Sequence, residues 1–226
     1  MNNRPPIKIL LTGFGPFPGV HSNPSGEFLK QFEERFSRDT RDITLRTDVI
    51  PTSWTAAERF VSGPLVEFDP DIALHFGVHR VAAGFRIETR ADNCASSHAD
   101  ADGKMFKNSQ LVKGGPAALR AGIPAEKLVH ALRGRCLPAV TSANAGRYLC
   151  NMLLYLSLNQ ARIDSRIRQT GFIHIPPLAR VSGGRSHGKR LVFDMPTLLD
   201  GAETITERCI SRHAHAIRTQ RPSHYR

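Results

Sequence analysis

Cysteine is scarce in this chain: Cys94, Cys136, Cys150 and Cys209 are the only four among 226 residues, and none forms a CxxC pair. That spacing excludes a zinc ribbon and argues against a disulfide framework. Long apolar runs are missing too; none approaches the length of about 18 residues that suggests a membrane span. The opening MNNRPPIKILLTGFG has an apolar stretch too short for a signal peptide and no convincing small-residue cleavage site, so a cytoplasmic location is expected. Acidic residues are outnumbered, 20 against 31 Lys and Arg, which leaves a formal charge of +11. Such a surplus permits anion or nucleic-acid binding through counterion release. Aromatic residues, however, make up only 7% of the chain, with a single tryptophan. Few of them interleave the basic clusters at Arg162, Arg166 and Arg168, at Arg180, Arg185, Lys189 and Arg190, and from Arg208 to Arg226. A stacking platform for nucleic acid would need several, so a solvated basic surface is the simpler reading and nucleic acid is not an expected partner.

What is present points to a globular α/β protein. Ile7 to Leu11 forms a first strand ending at Thr12-Gly13, and a turn-rich loop follows. In that loop Asn23-Pro24-Ser25 can cap a helix from about Gly26 to Phe36. A second strand, Leu45 to Ile50, stops at Pro51-Thr52, and a helix starts near Thr55. Asp71 to Gly77 is a near-continuous apolar run, the pattern of a strand buried on both faces. Ala83 to Ile87 leads to Glu88 as an irregular strand, and residues 93 to 116 are polar enough for a long surface loop. Further on come a helix from Ala125 to Arg133, a strand from Leu137 to Thr141, and a helix around Cys150 that runs to about Leu158. A strand from Gly171 to Ile175 is closed by Pro176-Pro177, and a last helix covers Thr197 to Ala216. Alternating strands and helices predict a mostly parallel twisted sheet covered on both faces. With no repeat, linker or low-complexity tract, residues 1 to 226 read as one domain with a basic C-terminal tail from about 217.

The chemistry concentrates in Asn144-Ala145-Gly146-Arg147-Tyr148-Leu149-Cys150-Asn151, where a short strand passes through a glycine turn into a helix. The first turn of a helix has unpaired N–H groups and partial positive charge, which favour a thiolate, the attacking form of cysteine. Glu88, Cys150 and His174 all fall where predicted strands end or a helix begins, the places where α/β sheets gather functional groups. His174 could take the thiol proton, and Glu88 could orient the imidazole through its other nitrogen. Spacing alone leaves alternatives open: His174 as a core histidine, Cys150 as a buried thiol, and Glu88 paired with Arg86 or Arg90 in a surface cluster. His75 with His79, and His213 with His215, lack an obvious third ligand, so no catalytic metal is expected. TGFGPFPG lacks the glycine spacing of a nucleotide loop.

The blocks TGFGPFPG and NPS within residues 12 to 25, PDIALHFGV at 70 to 78 and FRIETRADN at 85 to 93 occur in this order. GGP at 114 to 116, SANAGRYLCN at 142 to 151 and FIHIPPL at 172 to 178 continue it. Together they resemble the pyroglutamyl peptidase I family of cytosolic cysteine peptidases. The resemblance implies an αβα sandwich, commonly a homotetramer, without metal or cofactor, acting on small peptides with N-terminal pyroglutamate. It carries the family's catalytic residues onto Glu88, Cys150 and His174, and its substrate-pocket phenylalanines onto Phe14 and Phe17. A small neutral lactam suits an apolar slot with a few backbone hydrogen bonds. One departure stands out. Many bacterial members carry an Arg-Ile-Pro-Asp segment after the catalytic Glu, whose arginine is thought to help the oxyanion site. Here that region reads Ser96-Ser97-His98-Ala99-Asp100, with His98 as a conceivable substitute and the Cys150 N–H as a remaining donor. The alternative is therefore a catalytically weakened member that binds anions or nucleic acid.

Overall fold

The computed structural model describes residues 5–17, 22–36, 42–163, 167–178 and 193–219. Strands β1 (Ile7–Phe14), β2 (Ile43–Ile50), β3 (Ile72–Val78), β4 (Phe85–Glu88), β7 (Ala139–Ser142) and β8 (Gln169–Ile175) form one sheet in the order β2-β1-β3-β8-β4-β7. All pairings are parallel except β4 against β8. A two-stranded antiparallel ribbon, β5 (Arg90–Asp92) with β6 (Ala118–Arg120), sits apart from it. The antiparallel β4–β8 seam and this ribbon are features that the alternation of apolar segments does not announce.

Side chains alternate across the pleat, and the alternation sorts the core into two clusters. Ile9 and Leu11 of β1, Leu74 and Phe76 of β3, and Ile173 and Ile175 of β8 face one way. They meet Phe28 and Phe32 of α1 (Pro24–Phe36), Leu128 and Leu132 of α4 (Ala125–Gly134), and Leu198 and Ile205 of α6 (Met195–Thr219). Leu10, Phe14, Ala73 and Phe172 face the other way, onto α2 (Trp54–Phe60) and α5 (Leu149–Ile163). Helices thus cover both faces, as expected. Between α2 and α3 (Val66–Phe68) the chain makes a π turn, Val61–Leu65, that accommodates Pro64, a residue with no N–H to give.

The element bounds follow the apolar pattern to within a few residues. The strands are longer than the sequence pattern suggests at β1, which continues through Thr12 and Gly13 to Phe14. Helix α6 extends to Thr219, so the start of the expected basic tail is helical, and its remainder, residues 220–226, lies outside the described residues. The basic cluster from Arg180 to Arg190 also lies outside them. Residues 93 to 116 contain no helix or strand, yet Asn93, Asp100 and Leu111 are buried. The buried Asp100 carboxylate accepts hydrogen bonds from the backbone N–H groups of Trp54, Asp102 and Lys104, which holds it below its usual range against the opposing effect of burial.

The end of β1 is pressed backbone to backbone against the start of α1. A Cβ added at Gly13 would lie 1.6 Å from the Ser25 carbonyl oxygen, and one at Gly26 would lie 2.6 Å from the Phe14 carbonyl oxygen. The Ser25 hydroxyl also accepts the Phe14 N–H at 3.1 Å. Gly13→Ala therefore forces backbone apart, and a loss of about 3 kcal/mol or more is expected in urea denaturation. Unchanged stability would show that this approach is not needed.

Candidate functional site

The two faces of the pleat have different contents near the seam between β3, β8 and β4. On the α5 side, the alternation presents His75 and Gly77 from β3, Phe172 and His174 from β8, and Arg86 and Glu88 from β4. In register, Gly77 lies beside His174 on one flank and Arg86 lies opposite it on the other. Because β4 runs antiparallel to β8, Glu88 does not share the carboxyl edge where β8 ends. It reaches His174 diagonally, two residues beyond Arg86, a distance that long side chains bridge.

His174 Nδ1 and Glu88 Oε1 are 2.8 Å apart, with the imidazole 3% exposed and the carboxylate fully buried. Glu88 is thus no member of a surface cluster. Arg90 pairs with Asp92 instead, while Arg86 Nε stands 3.9 Å from Glu88 Oε1. Burial alone would lower the basicity of His174; the charge of the Cys150 sulfur, its hydrogen bond and the Glu88 carboxylate together outweigh that and push its pKa up to about 9. The geometry therefore brings the three predicted side chains together, with the imidazole between acid and sulfur.

Cys150 is the second residue of α5 and is half-buried. Its approach is set by the turn before it. Asn144 Oδ1 accepts the Gly146 N–H at 3.0 Å, and Gly146 has φ +79 with nothing near its would-be Cβ, so backbone conformation rather than room calls for glycine. At Gly77 the reason is room. A Cβ there would sit 3.1 Å from Cys150 Sγ and 2.7 Å from the Phe172 ring.

The same motif anchors the long loop. Asn151 Oδ1 accepts the Asp92 N–H, and its amide donates to the carbonyls of Asp92 and Cys94. The Ser96 N–H bonds the Arg147 carbonyl at 2.6 Å, and the Tyr148 hydroxyl donates to the Ala99 carbonyl. Loop 93–116 is thereby tied to the helix that carries Cys150, although His98 within it is exposed. Phe14 packs in the core with Ile50 and Trp54 on the α5 side, and Phe17 is half-buried.

Gly77 and Asn151 escaped sequence reasoning as individual residues, and Arg86 entered it only as a surface partner for Glu88. A glycine ending a buried strand is the signal for Gly77, since such positions mark close approach. His75 bonds Thr12 Oγ1 at 2.8 Å and is driven by burial to a pKa of about 3. His79 packs edge-on against His174, with ring centroids 5.3 Å apart. His213 faces Asp71 at 3.5 Å. Among the described residues, no group of three His, Cys, Asp or Glu side chains is arranged to hold a metal ion.

The family model of pyroglutamyl peptidase matches residues 7–207. This chain belongs to the pyroglutamyl peptidase family. A pyrrolidone-carboxylate peptidase of Pyrococcus furiosus is 33% identical over 171 residues, covering 75% of this chain and 81% of that one. Pyrrolidone-carboxylate peptidase 1 of Ralstonia nicotianae is 28% identical over 205 residues, covering 90% and 93%. A mutant pyrrolidone carboxyl peptidase structure from Pyrococcus furiosus superposes with a TM-score of 0.81 at 27% identity, covering 92% of this chain and 100% of that one. Pyroglutamyl peptidase I of Bacillus amyloliquefaciens, at 24% identity and TM-score 0.79 over 92% and 98% of the two chains, shares the fold.

In this chain, Gly77→Ala pushes the sulfur or the Phe172 ring aside. A displacement near 1 Å costs about 100-fold in rate. The expected outcome is a loss of that order in Cys150 alkylation or turnover with the circular dichroism spectrum retained. Wild-type reactivity would mean that the sulfur does not depend on this space.

Proposed function

We infer that this chain is a cysteine peptidase that removes N-terminal pyroglutamate from small peptides, with Cys150, His174 and Glu88 as its catalytic residues. The observation that carries the reading is the buried Glu88–His174 pair facing the Cys150 sulfur. Family membership supports the choice of substrate.

In this reading the Cys150 thiolate attacks the pyroglutamyl carbonyl carbon, and the carbonyl oxygen takes up the negative charge. The N–H groups in the first turn of α5, that of Cys150 among them, are available to that oxyanion. The tetrahedral species collapses as the scissile C–N bond breaks, and the His174 imidazolium gives its proton to the departing amine. The neutral imidazole then takes a proton from water, whose oxygen attacks the thioester and releases pyroglutamate and the sulfur. Glu88 accepts the Nδ1–H throughout, which fixes the tautomer and stabilises the imidazolium. Phe14 and Phe17 contribute the apolar side of the lactam slot. Phe14 would act from its packed position, and half-buried Phe17 offers the more accessible ring.

The rest of the reading is that the chain works as one domain in the cytoplasm, where a reducing milieu preserves a nucleophilic thiol, and assembles as a homotetramer. No helix among the described residues is long and apolar enough to cross a membrane. Light scattering should give four chains per particle; a monomer would remove the tetramer from this reading.

Cys150→Ser should abolish hydrolysis of a pyroglutamyl-amide reporter, and His174→Ala should nearly do so. Glu88→Gln should retain some activity, because it orients rather than attacks. Undiminished turnover by Cys150→Ser would refute the assignment. The His174 pKa is raised from 6.5 to about 9, so kcat/KM should fall as pH rises through about 9 when the leaving group loses its proton donor. The same raised value means that the stability contributed by the pair is full below 6.5 and lost through about 9. In Glu88→Gln the alkaline fall should move to lower pH, since one of the groups favouring the imidazolium is gone.

A further inference from the structure

Arg86 stands at the centre of an interaction path that the peptidase chemistry above does not use. It is directly opposite His174 in the antiparallel seam. Its Nη2 donates to Ser142 Oγ at 2.8 Å, and its Nε lies 3.9 Å from Glu88 Oε1. Ser142 Oγ accepts the Asn144 N–H at 3.3 Å, and Asn144 Oδ1 in turn accepts the Gly146 N–H in the turn that leads into α5. The path runs from the Cys150 sulfur through His174, Glu88, Arg86, Ser142 and Asn144 back to the turn that aims Cys150. It closes on itself.

Two atoms in this ring are buried and without a hydrogen-bond partner: Arg86 Nε, a donor, and Glu88 Oε2, an acceptor. They belong to oppositely charged neighbours. Buried polar atoms are costly to leave unpaired, so an orphan donor and an orphan acceptor on two neighbouring side chains of opposite charge mark an ion pair that tightens with a small shift. The guanidinium is planar and forked, and it alone can address a carboxylate and a hydroxyl in two directions at once. Charge gives a second reason. The groups facing Arg86 and His174 are Glu88 on β4, Cys150 on α5, and His79 after β3, with His75 deeper on the same face and Ser142 uncharged on β7. A buried carboxylate and a thiolate face one imidazolium, and Arg86 supplies the second positive charge that balances them.

We propose that Arg86 is a positioning residue that holds Glu88 against His174 and, through Ser142, couples that acid to the turn that aims Cys150. The proposal rests on the peptidase reading above. Its electrostatic part has a defined sign. Removing a fixed positive charge makes every proton in the cluster harder to lose, so both limbs of a pH profile slide upward, opposite to the alkaline shift of Glu88→Gln.

The test uses Arg86→Met, Arg86→Lys and Ser142→Ala, with two readouts across pH: pyroglutamyl-amide turnover, and Cys150 alkylation by iodoacetamide with mass mapping of the labelled residue. Arg86→Met should lose about 10- to 100-fold in kcat and shift both limbs upward by about one pH unit. Arg86→Lys should keep the limbs in place while losing kcat, because an ammonium cannot bridge both partners. Ser142→Ala should lower kcat without moving either limb. Limbs unmoved in a folded Arg86→Met protein would overturn the proposal. If that variant does not fold, wild-type kcat in both Arg86→Lys and Ser142→Ala would overturn it. A wild-type protein inert toward the pyroglutamyl amide sinks the peptidase reading instead, and the alkylation profile still reports on Arg86.

Discussion

The hydrogen bond between Glu88 and His174 is the constraint that organises the rest of this structure. A fully buried carboxylate costs several kcal/mol of desolvation and persists only with partners that compensate it. Here one partner is an imidazole that is itself almost wholly buried. The imidazole keeps its proton against this burial because the Cys150 sulfur and the Glu88 carboxylate both favour the charged form. Cys150 and Arg86 stand beside this pair, the sulfur on the imidazole side and the guanidinium on the carboxylate side.

The sheet supplies that arrangement cheaply through its pleat. Ile173 and Ile175 turn inward to α1, α4 and α6, which leaves His174 no choice but the opposite face, where α5 brings Cys150. The same rule sends Ile87 one way and both Arg86 and Glu88 the other. Parallel β3 contributes its smallest side chain at Gly77, and the sulfur lies in the space so created. A slip of one residue in either β3 or β8 would reverse the faces and dismantle the cluster.

Much of this was legible in the residues. The apolar run at residues 71 to 77, the glycine turn before Cys150 and the proline stop after His174 carry local signals, and each element formed where they indicated. Residue types named Cys150, His174 and Glu88 as candidates, while the family blocks raised them above their neighbours. What the sequence could not convey was pairing across distance. That β4 runs against β8, that Arg86 faces His174, and that Arg90 turns aside to Asp92 depend on strand register, which no local pattern encodes. The burial of Glu88 was hidden for the same reason, since charged neighbours on both sides suggested a solvent-facing strand. Asn151 was quoted within a motif without a role, because its partners Asp92 and Cys94 lie nearly sixty residues away.

The place of β8 in the sheet has a consequence for biosynthesis. Residues 169–175 insert between β3 and β4, joining strands that were made long before them. A chain emerging from the ribosome can lay down β1, β2 and β3 and even complete α5, yet the Cys150 sulfur does not meet His174 until this late segment arrives. Contacts of such large sequence separation are slow to close. The cluster around His174 is therefore the last part of the sheet to be completed, however early the other strands and α5 take shape.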